Sequence, residues 1–189
     1  MEFKIKNLKF PSGFTLIEML VTLGIITALS SMILVYSRKS ESVSNLIRES
    51  NHIAFGLRRA QNQAMMMLQQ DSGSDEKICG WGIYIDINTP EQFLLFKDLC
   101  EEGTSKGNEK YDSDLGEEVE LFSLLKGVEI SRSNVSSITF IPPEPRVKFD
   151  SDLGNDNAYI EIQLKNQQGA FYRIEVSKEG QISKELKEI

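Results

Sequence analysis

The chain has 189 residues, of which 21 are basic, 28 are acidic, one is histidine and two are cysteine. This length fits one globular domain with an appendage better than two full domains. The formal charge of −7 argues against broad nucleic-acid binding, which needs a basic face. One histidine and two cysteines exclude a histidine-rich metal centre and a four-cysteine zinc site.

The N-terminal part of the chain contains one long apolar run. Residues 14–36 include 16 apolar residues out of 23, which is long enough to cross a bilayer once. Three lysines and one glutamate precede this run, and such a positive charge keeps the N-terminus in the cytoplasm and sends the rest outward. The sequence therefore predicts a single-pass membrane protein with its C-terminal domain outside the cytoplasm.

An ordinary secretory signal is the alternative interpretation of this run, with residues 28–30 (ALS) as a weak cleavage site. Two features argue against it. The run is longer than a typical signal core, and it contains a carboxylate, Glu18. An unpaired carboxylate at this depth costs roughly 2–3 kcal/mol. A disposable signal gains nothing from this cost, so Glu18 indicates a partner inside the membrane.

Residues 13–20, GFTLIEML, follow a basic leader and resemble the class III signal of type IV pilins and type II secretion pseudopilins. The resemblance implies cleavage after Gly13 by a prepilin peptidase on the cytoplasmic face, and N-methylation of the new terminal residue, Phe14. Glu18 would then be the fifth mature residue, and its role would lie in assembly. Removing residues 1–13 takes away three lysines and one glutamate, which leaves 18 basic and 27 acidic residues and a formal charge of −9.

The chemistry of these residues fits the resemblance. Gly13 has no side chain, so an extended backbone can enter a narrow protease cleft there. Cleavage creates a cationic amine at Phe14, and Glu18 lies four residues later, on the same face of a helix. An amine of the same or a neighbouring subunit can neutralise this carboxylate, which lipid does not solvate.

The apolar run leads into a predicted amphipathic helix over residues 37–70, which contain no proline. Apolar or small residues recur there in steps of three and four, at Val43, Leu46, Ile47, Ser50, Ile53, Ala54, Leu57, Ala60, Ala64 and Met67. His52 falls off this stripe and is interpreted as a solvated helix residue. Together with the membrane half, the helix would run about 57 residues, or roughly 85 Å.

The rest of the chain predicts β-structure. Alternating apolar residues and turn residues place strands at 79–87, 92–100, 119–125, 128–131, 138–141, 158–165, 170–177 and 180–183. The acidic stretch 101–118 is interpreted as a long surface loop. The fold class is α+β, with a long N-terminal helix packed on antiparallel sheet, and the resemblance implies a type IV pilin-like fold.

These segments predict a division of the chain into four parts. Residues 1–13 form a leader peptide, 14–36 the transmembrane half of the helix, 37–70 its amphipathic half, and 71–189 an exported β-rich globular domain.

A disulfide between Cys79 and Cys100 is predicted on two grounds. The outward topology places both thiols in an oxidising compartment. A turn near residues 88–91 would put Ile87 opposite Gln92, and the same register brings Cys79 opposite Cys100, at a Cα separation that a disulfide accepts. In this register Trp81 faces Asp98, which is a poor match.

The clearest predicted hairpin joins 158–165 to 170–177 through a three-residue loop that ends at Gly169. This register pairs Leu164 with Tyr172, Ile162 with Ile174 and Ile160 with Val176, and it collects apolar side chains on one face.

One acidic pattern has the spacing of a calcium loop. Asp150, Asp152 and Asp156 stand at its first, third and seventh positions, and Glu161 at the twelfth. The sixth position is Asn155 where such loops use glycine, and Glu161 lies in a predicted strand. A solvated turn is the alternative interpretation of this segment.

No nucleophile–base pair, P-loop or CxxC is found, so the chain is not expected to be an enzyme. Beyond the N-terminus, CGWGIYID (79–86), ITFIP (138–142) and YRIEVS (172–177) resemble the GspH/FimT-like minor pilins. The resemblance implies a structural subunit of a type IV pilus-like filament, or a pseudopilin that drives protein export by type II secretion. Its implied partners are the prepilin peptidase, other pilin subunits, the inner-membrane assembly platform and lipid. A DNA- or ligand-binding minor pilin is the alternative of another class, although the charge makes nucleic acid an unexpected partner.

Overall fold

A computed structural model describes residues 13–67, 77–104, 106–142, 146–151, 153–154, 157–165 and 170–188. The structure divides into two units, residues 1–41 and 42–189. One helix, α1 (Leu16–Met66), belongs to both units, because its first part lies in the first unit and the remainder in the second. Its 51 residues lie within the predicted range of 14–70, of which residues 68–70 are outside the described part of the chain.

Two antiparallel sheets follow α1 in the second unit. The strands are β1 (Ile78–Tyr84), β2 (Gln92–Leu99), β3 (Glu118–Ser123), β4 (Val128–Ser133), β5 (Ser137–Ile141), β6 (Arg146–Phe149), β7 (Ala158–Leu164), β8 (Ala170–Val176) and β9 (Ile182–Glu188). One sheet has the order β3-β2-β1-β5-β6 and the other β4-β7-β8-β9. The α+β layout of a long helix followed by antiparallel sheet confirms the predicted fold class.

The two sheets and the second half of α1 share one hydrophobic core. The predicted helical stripe supplies its helical side, since Leu46, Ile53, Leu57, Ala60 and Ala64 are all buried in the core cluster. Ile83 and Leu95 from one sheet, together with Ile160, Ile162 and Ile174 from the other, complete it. Burial of this stripe stabilises the helix far more than intrinsic propensity does.

Two residues of the helix, His52 and Gly56, make contacts with the sheet from outside the predicted apolar stripe. His52 is only partly solvated, with 33% of its side chain exposed. Its ring makes edge-on contacts with Phe93 and Phe122, at 5.5 Å between centroids in both cases, and its Nδ1 lies 3.3 Å from a carboxylate oxygen of the buried Glu49. Gly56 lies against Phe93, and a Cβ atom there would come within 2.7 Å of that ring. The helix face that contacts the sheet is therefore wider than the apolar stripe.

The predicted register of the first hairpin is wrong by one residue. The structure pairs Trp81 with Lys97 and Ile83 with Leu95, and it places Gly80 opposite Asp98. Residues 93–96 are four consecutive apolar residues, FLLF, so their alternation does not specify which of them face the core. The poor match of Trp81 with Asp98 was the sign of the error.

The β7–β8 hairpin is also shifted from its predicted register, by two residues. Ile162 pairs with Tyr172, Ile160 with Ile174, and Ala158 with Val176. A two-residue shift leaves each side chain on the same face of the sheet, so the apolar pattern is equally satisfied by both registers. Residues 166–169, which include the predicted loop with Gly169, lie outside the described residues.

Two other strand assignments differ from the prediction. Strand β6 follows the Pro142-Pro143 pair and was not predicted, since only one of its four residues, Val147, is buried. The last strand runs over Ile182–Glu188 where residues 180–183 were predicted. Edge strands with few buried residues carry little apolar alternation, which explains both errors.

Candidate functional site

The N-terminal segment places its candidate processing residues outside the helix. Residues 13–15 are not helical, and α1 begins at Leu16. Thr15 acts as the N-cap, because its Oγ1 accepts a hydrogen bond from the Glu18 backbone N–H at 3.3 Å. Threonine followed three residues later by glutamate is the sequence of a capping box. Phe14 precedes this cap in the uncleaved chain, so the common helix face of Phe14 and Glu18 stays a prediction for the chain after cleavage.

Glu18 has a second favourable interaction that the sequence-based interpretation missed. It is the acidic residue in the first turn of α1, where the positive end of the helix dipole stabilises a negative charge. The signal that could have revealed this is the spacing of Thr15 and Glu18 itself. The carboxylate in the apolar run is thus partly explained by its position in the first turn of the helix.

The described part of the apolar run is exposed. Residues Leu16–Ile33 form a stretch of 18 residues with a mean hydropathy of 2.0 and no buried member, and this is the one helical segment of the described chain that is long and apolar enough to cross a membrane. Three hydroxyl groups within it are satisfied inside the helix, because Thr22, Thr27 and Ser31 each donate to the carbonyl oxygen three residues earlier. Such internal bonding suits a helix in lipid, where no water is available to polar groups.

The predicted disulfide is present in the β-domain. Cys79 and Cys100 are bonded, with their Cα atoms 5.0 Å apart. The prediction placed the two cysteines directly opposite each other on paired strands, and the structure does not. Cys79 lies at an irregularity of β1, between Ile78 and Gly80, while the N–H of Cys100 donates to the carbonyl of Lys77. The prediction of the bond is confirmed although the register behind it is wrong.

The acidic stretch after Cys100, here called the strap (residues 101–104 and 106–117), is held against the sheet by two buried carboxylates. Asp98 is 1% exposed and Glu117 is 0% exposed. Asp98 Oδ2 accepts from the N–H of Glu109 at 3.2 Å, and Glu117 accepts from the N–H groups of Leu99 and Asp112 at 2.9 and 2.7 Å. The interpretation of this stretch as a solvated loop is therefore wrong for Glu117.

The close packing of the strap explains the glycine at position 107. A Cβ atom on Gly107 would lie 2.1 Å from Asp98 Oδ2, so a side chain there would displace the carboxylate. Asp98 Oδ1 has no hydrogen-bond partner among the described residues. A buried acceptor without a donor disfavours the ionised carboxylate.

We expect the stability of the domain to fall as the pH rises from 4 to 6. Burial, and then the charge of Glu117, raise the pKa of Asp98 from 3.8 to about 6, so within this window the native state binds more protons than the unfolded chain. The stabilisation is complete below pH 4 and is lost as the pH passes 6, with a total effect on the order of 2–3 kcal/mol. Urea unfolding at several pH values measures it.

The variant Asp98→Asn is the control for this pH effect, because its amide oxygen can still accept from Glu109 while the titrating group is gone. Its stability should change less than that of the wild type between pH 4 and 6. An unchanged slope in the variant would assign the pH dependence to another group.

The four candidate calcium ligands are only partly described. Asp152 and Asp156 lie outside the described residues. Asp150 accepts from the N–H of Ser136 with both carboxylate oxygens, at 3.0 and 3.2 Å. Glu161 is buried in β7 and forms an ion pair with Arg173 at 2.5 Å. No group of three or more metal-binding side chains occurs among the described residues. The calcium loop stays a prediction, which melting curves with EDTA or added calcium test.

Comparison with known families identifies the N-terminal segment. Residues 9–34 match the family described as prokaryotic N-terminal methylation motif. This motif is the class III signal of type IV pilins, and it marks the precursors of type IV pilins and pseudopilins, which are structural proteins. It implies processing by prepilin peptidase and assembly with other pilin subunits. Comparisons with curated proteins and with solved structures give no match.

Proposed function

We propose that the protein is a minor structural subunit of a type IV pilus-like filament, of the GspH/FimT-like group. The observation that carries this proposal is the methylation motif at residues 9–34 together with the exposed apolar stretch Leu16–Ile33. An apolar surface of this length is stable only in lipid or against other apolar helices. Lipid covers it before assembly, and neighbouring subunits cover it in the filament.

The topology of the proposal follows from charge and redox chemistry. Residues 1–13 are the leader, residues 14–36 span the inner membrane once, residues 37–70 continue the helix, and residues 71–189 form the exported domain. The basic leader supports a cytoplasmic N-terminus. The Cys79–Cys100 bond supports an exported domain, since disulfides persist in oxidising compartments.

A type II secretion pseudopilin is the second role within the same proposal. The motif is common to both classes of precursor, and the two roles place the same demands on this chain. Neighbouring genes separate them: a retraction ATPase favours a pilus, while an operon of exported proteins favours secretion.

We expect Glu18→Val to be processed and inserted normally and to be depleted from sheared filaments. Insertion becomes easier without the carboxylate, while the amine of Phe14 loses its partner in the assembled filament. Quantitative immunoblots of membranes and sheared filaments measure the two effects. A roughly tenfold loss from filaments corresponds to about 1.4 kcal/mol of assembly free energy.

The matched control is Glu18→Gln, which keeps the capping-box side chain and removes only the charge. If the amine–carboxylate pair drives assembly, the glutamine variant is depleted as strongly as the valine variant. Wild-type amounts of the glutamine variant in filaments would instead assign Glu18 to helix capping. Wild-type amounts of both variants would refute the assembly role.

A further inference from the structure

A cleft of about 280 Å³ opens on the face of the five-stranded sheet that points away from α1. Phe93 and Phe122 point toward the helix, since both rings contact His52. Their chain neighbours Leu94 and Leu121 pair across β2 and β3, and alternation places them on the opposite face. The volume is below the range of roughly 300–1,000 Å³ that is typical of pockets for whole small molecules. The cleft therefore suits a single side chain.

The lining of the cleft is partly apolar and aromatic. Leu94 and Leu121 supply aliphatic surface, and Leu121 is 56% exposed. Tyr84 at the end of β1 and Tyr111 of the strap supply two rings, whose centroids lie 4.6 Å apart. An exposed leucine beside two half-buried tyrosines is a surface on which a long side chain can pack.

The charged residues that line the cleft, Asp86 and Glu118, are both acidic. One oxygen of each carboxylate has a local partner: Asp86 Oδ1 accepts from the backbone N–H of Asn88 at 2.8 Å, and Glu118 Oε1 accepts from the hydroxyl group of Tyr111 at 2.5 Å. Within the described ranges, the second oxygen of each carboxylate accepts no hydrogen bond. Burial raises the pKa of both tyrosines of the cleft, and these two carboxylates raise it further, which agrees with a negative potential in the cleft.

Two arginines of the same domain show which group completes such a set. Arg173 lies over the ring of Tyr159, 4.7 Å from its centroid, and pairs with Glu161 at 2.5 Å. Arg59 lies 5.9 Å from the ring centroid of Phe122 and pairs with a glutamate of β3. In both places a guanidinium lies over an aromatic ring and binds a carboxylate. The cleft has the rings and the carboxylates, while no basic residue of the described chain lines it.

We propose that this cleft binds an arginine side chain of a second protein, which docks on the face of the domain away from α1. The aliphatic stem packs on Leu94 and Leu121. The guanidinium stacks on the tyrosine rings and donates to the carboxylate oxygens of Asp86 and Glu118. Lysine fits less well, because its ammonium is a compact, strongly hydrated point charge. The site does not use the exposed helix face on which the proposed filament function depends, so it adds a binding function to it.

Titration of small probes into the full chain, in a non-ionic detergent, tests this proposal. The probe is arginine blocked as its N-acetyl methylamide, and the methyl signals of Leu94 and Leu121 are followed by NMR. We expect saturable shifts with a Kd on the order of 1–10 mM, because one side chain makes few contacts. Blocked citrulline has the same shape without the charge and should bind about tenfold more weakly or not at all. Blocked lysine should bind several-fold more weakly than blocked arginine.

A matched pair of variants assigns the binding to the cleft. Asp86→Asn with Glu118→Gln removes both charges, and the amide oxygens can still accept from Asn88 and Tyr111. This variant should lose the shifts. Glu120→Gln removes a charge from the same strand on the helix-covered side, where Glu120 contacts Arg59, and it should bind arginine as the wild type does.

A blocked Ala-Arg-Ala tripeptide tests presentation on a chain, and it should bind at least as tightly as the blocked residue. Weaker binding of the tripeptide would overturn a protein as the source of the arginine. The absence of shifts with arginine, equal binding of citrulline, or unchanged binding in the double variant would overturn the site. Equal binding of lysine would overturn its selectivity for arginine. None of these results bears on processing or filament assembly, which the variants of Gly13 and Glu18 test separately.

Discussion

Replacing Gly13 with valine should leave the protein in the membrane with its leader still attached. The branched side chain stiffens the backbone at the position that must extend into the peptidase cleft. We expect cleaved protein to fall from nearly all of the population to an undetectable fraction. Mass spectrometry of the extracted protein measures this directly, because the uncleaved chain keeps its 13 leader residues.

The structure makes this experiment specific for processing. Gly13 lies before the helix, and a Cβ atom there would meet no other atom within 4 Å, so the substitution does not disturb the fold. Gly24 is equally unobstructed but lies inside α1, and Gly24→Ala should be cleaved normally. Cleavage of Gly13→Val with a new terminus at Phe14 would contradict the processing site.

The sequence predicted the long helix and its buried stripe because α1 buries its residues in the order that helical periodicity requires. Val43 is 37% exposed and lies before Leu46, the first helix residue of the core, whereas Ile47 lies after Leu46 and is still 42% exposed, at the border of the buried face. Periodicity identifies a face of the helix and does not say where along the helix that face becomes covered.

The two hairpins show what alternation alone does not determine. In β2, four consecutive apolar residues are compatible with two registers that differ by one residue. In β7 and β8, apolar residues alternate regularly, so two registers that differ by two residues satisfy the pattern equally well. Specific contacts accompany the observed registers: within the β7–β8 hairpin Glu161 forms an ion pair with Arg173 directly opposite, and in the first hairpin Asp98 packs against Gly107 from outside the hairpin.

The candidate sites differ in the same way: some are defined by a local sequence motif and others only by the fold. Gly13, Phe14 and Glu18 lie within one short motif, residues 13–20, so the sequence alone is sufficient to propose them. The buried Asp98 and Glu117 were not identified, because nothing local distinguishes them from the solvated acidic residues of the strap. Their burial depends on backbone N–H groups of residues 99, 109 and 112, which only the folded strap brings into place.

Removing the disulfide should cost roughly 3 kcal/mol of unfolding free energy, because the bond closes a loop of about 20 residues in the unfolded chain. For a domain of this size this corresponds to a fall in Tm of roughly 6–12 °C. Cys79→Ala with Cys100→Ala, in the detergent-extracted full chain, measures it by thermal unfolding. Wild-type protein treated with reductant is the control, and it should melt near the variant, which reductant should leave unchanged.

The loss of stability on removing the disulfide should also be uneven across the domain. Cys100 directly precedes the strap, which is also held by backbone bonds to the carboxylates of Asp98 and Glu117 and by the hydrogen bond from Thr139 Oγ1 to the Glu109 carbonyl. Freeing Cys100 therefore allows the strap to open without unfolding the core, a local opening that hydrogen exchange detects. We expect the amides of Glu109 and Asp112 to exchange much faster in the variant, while those of Ile160 and Ile162 in β7 change only with global stability. If exchange accelerates equally in the strap and in β7, the disulfide stabilises the domain as a whole. Asp98 and Glu117 would then be sufficient to attach the strap.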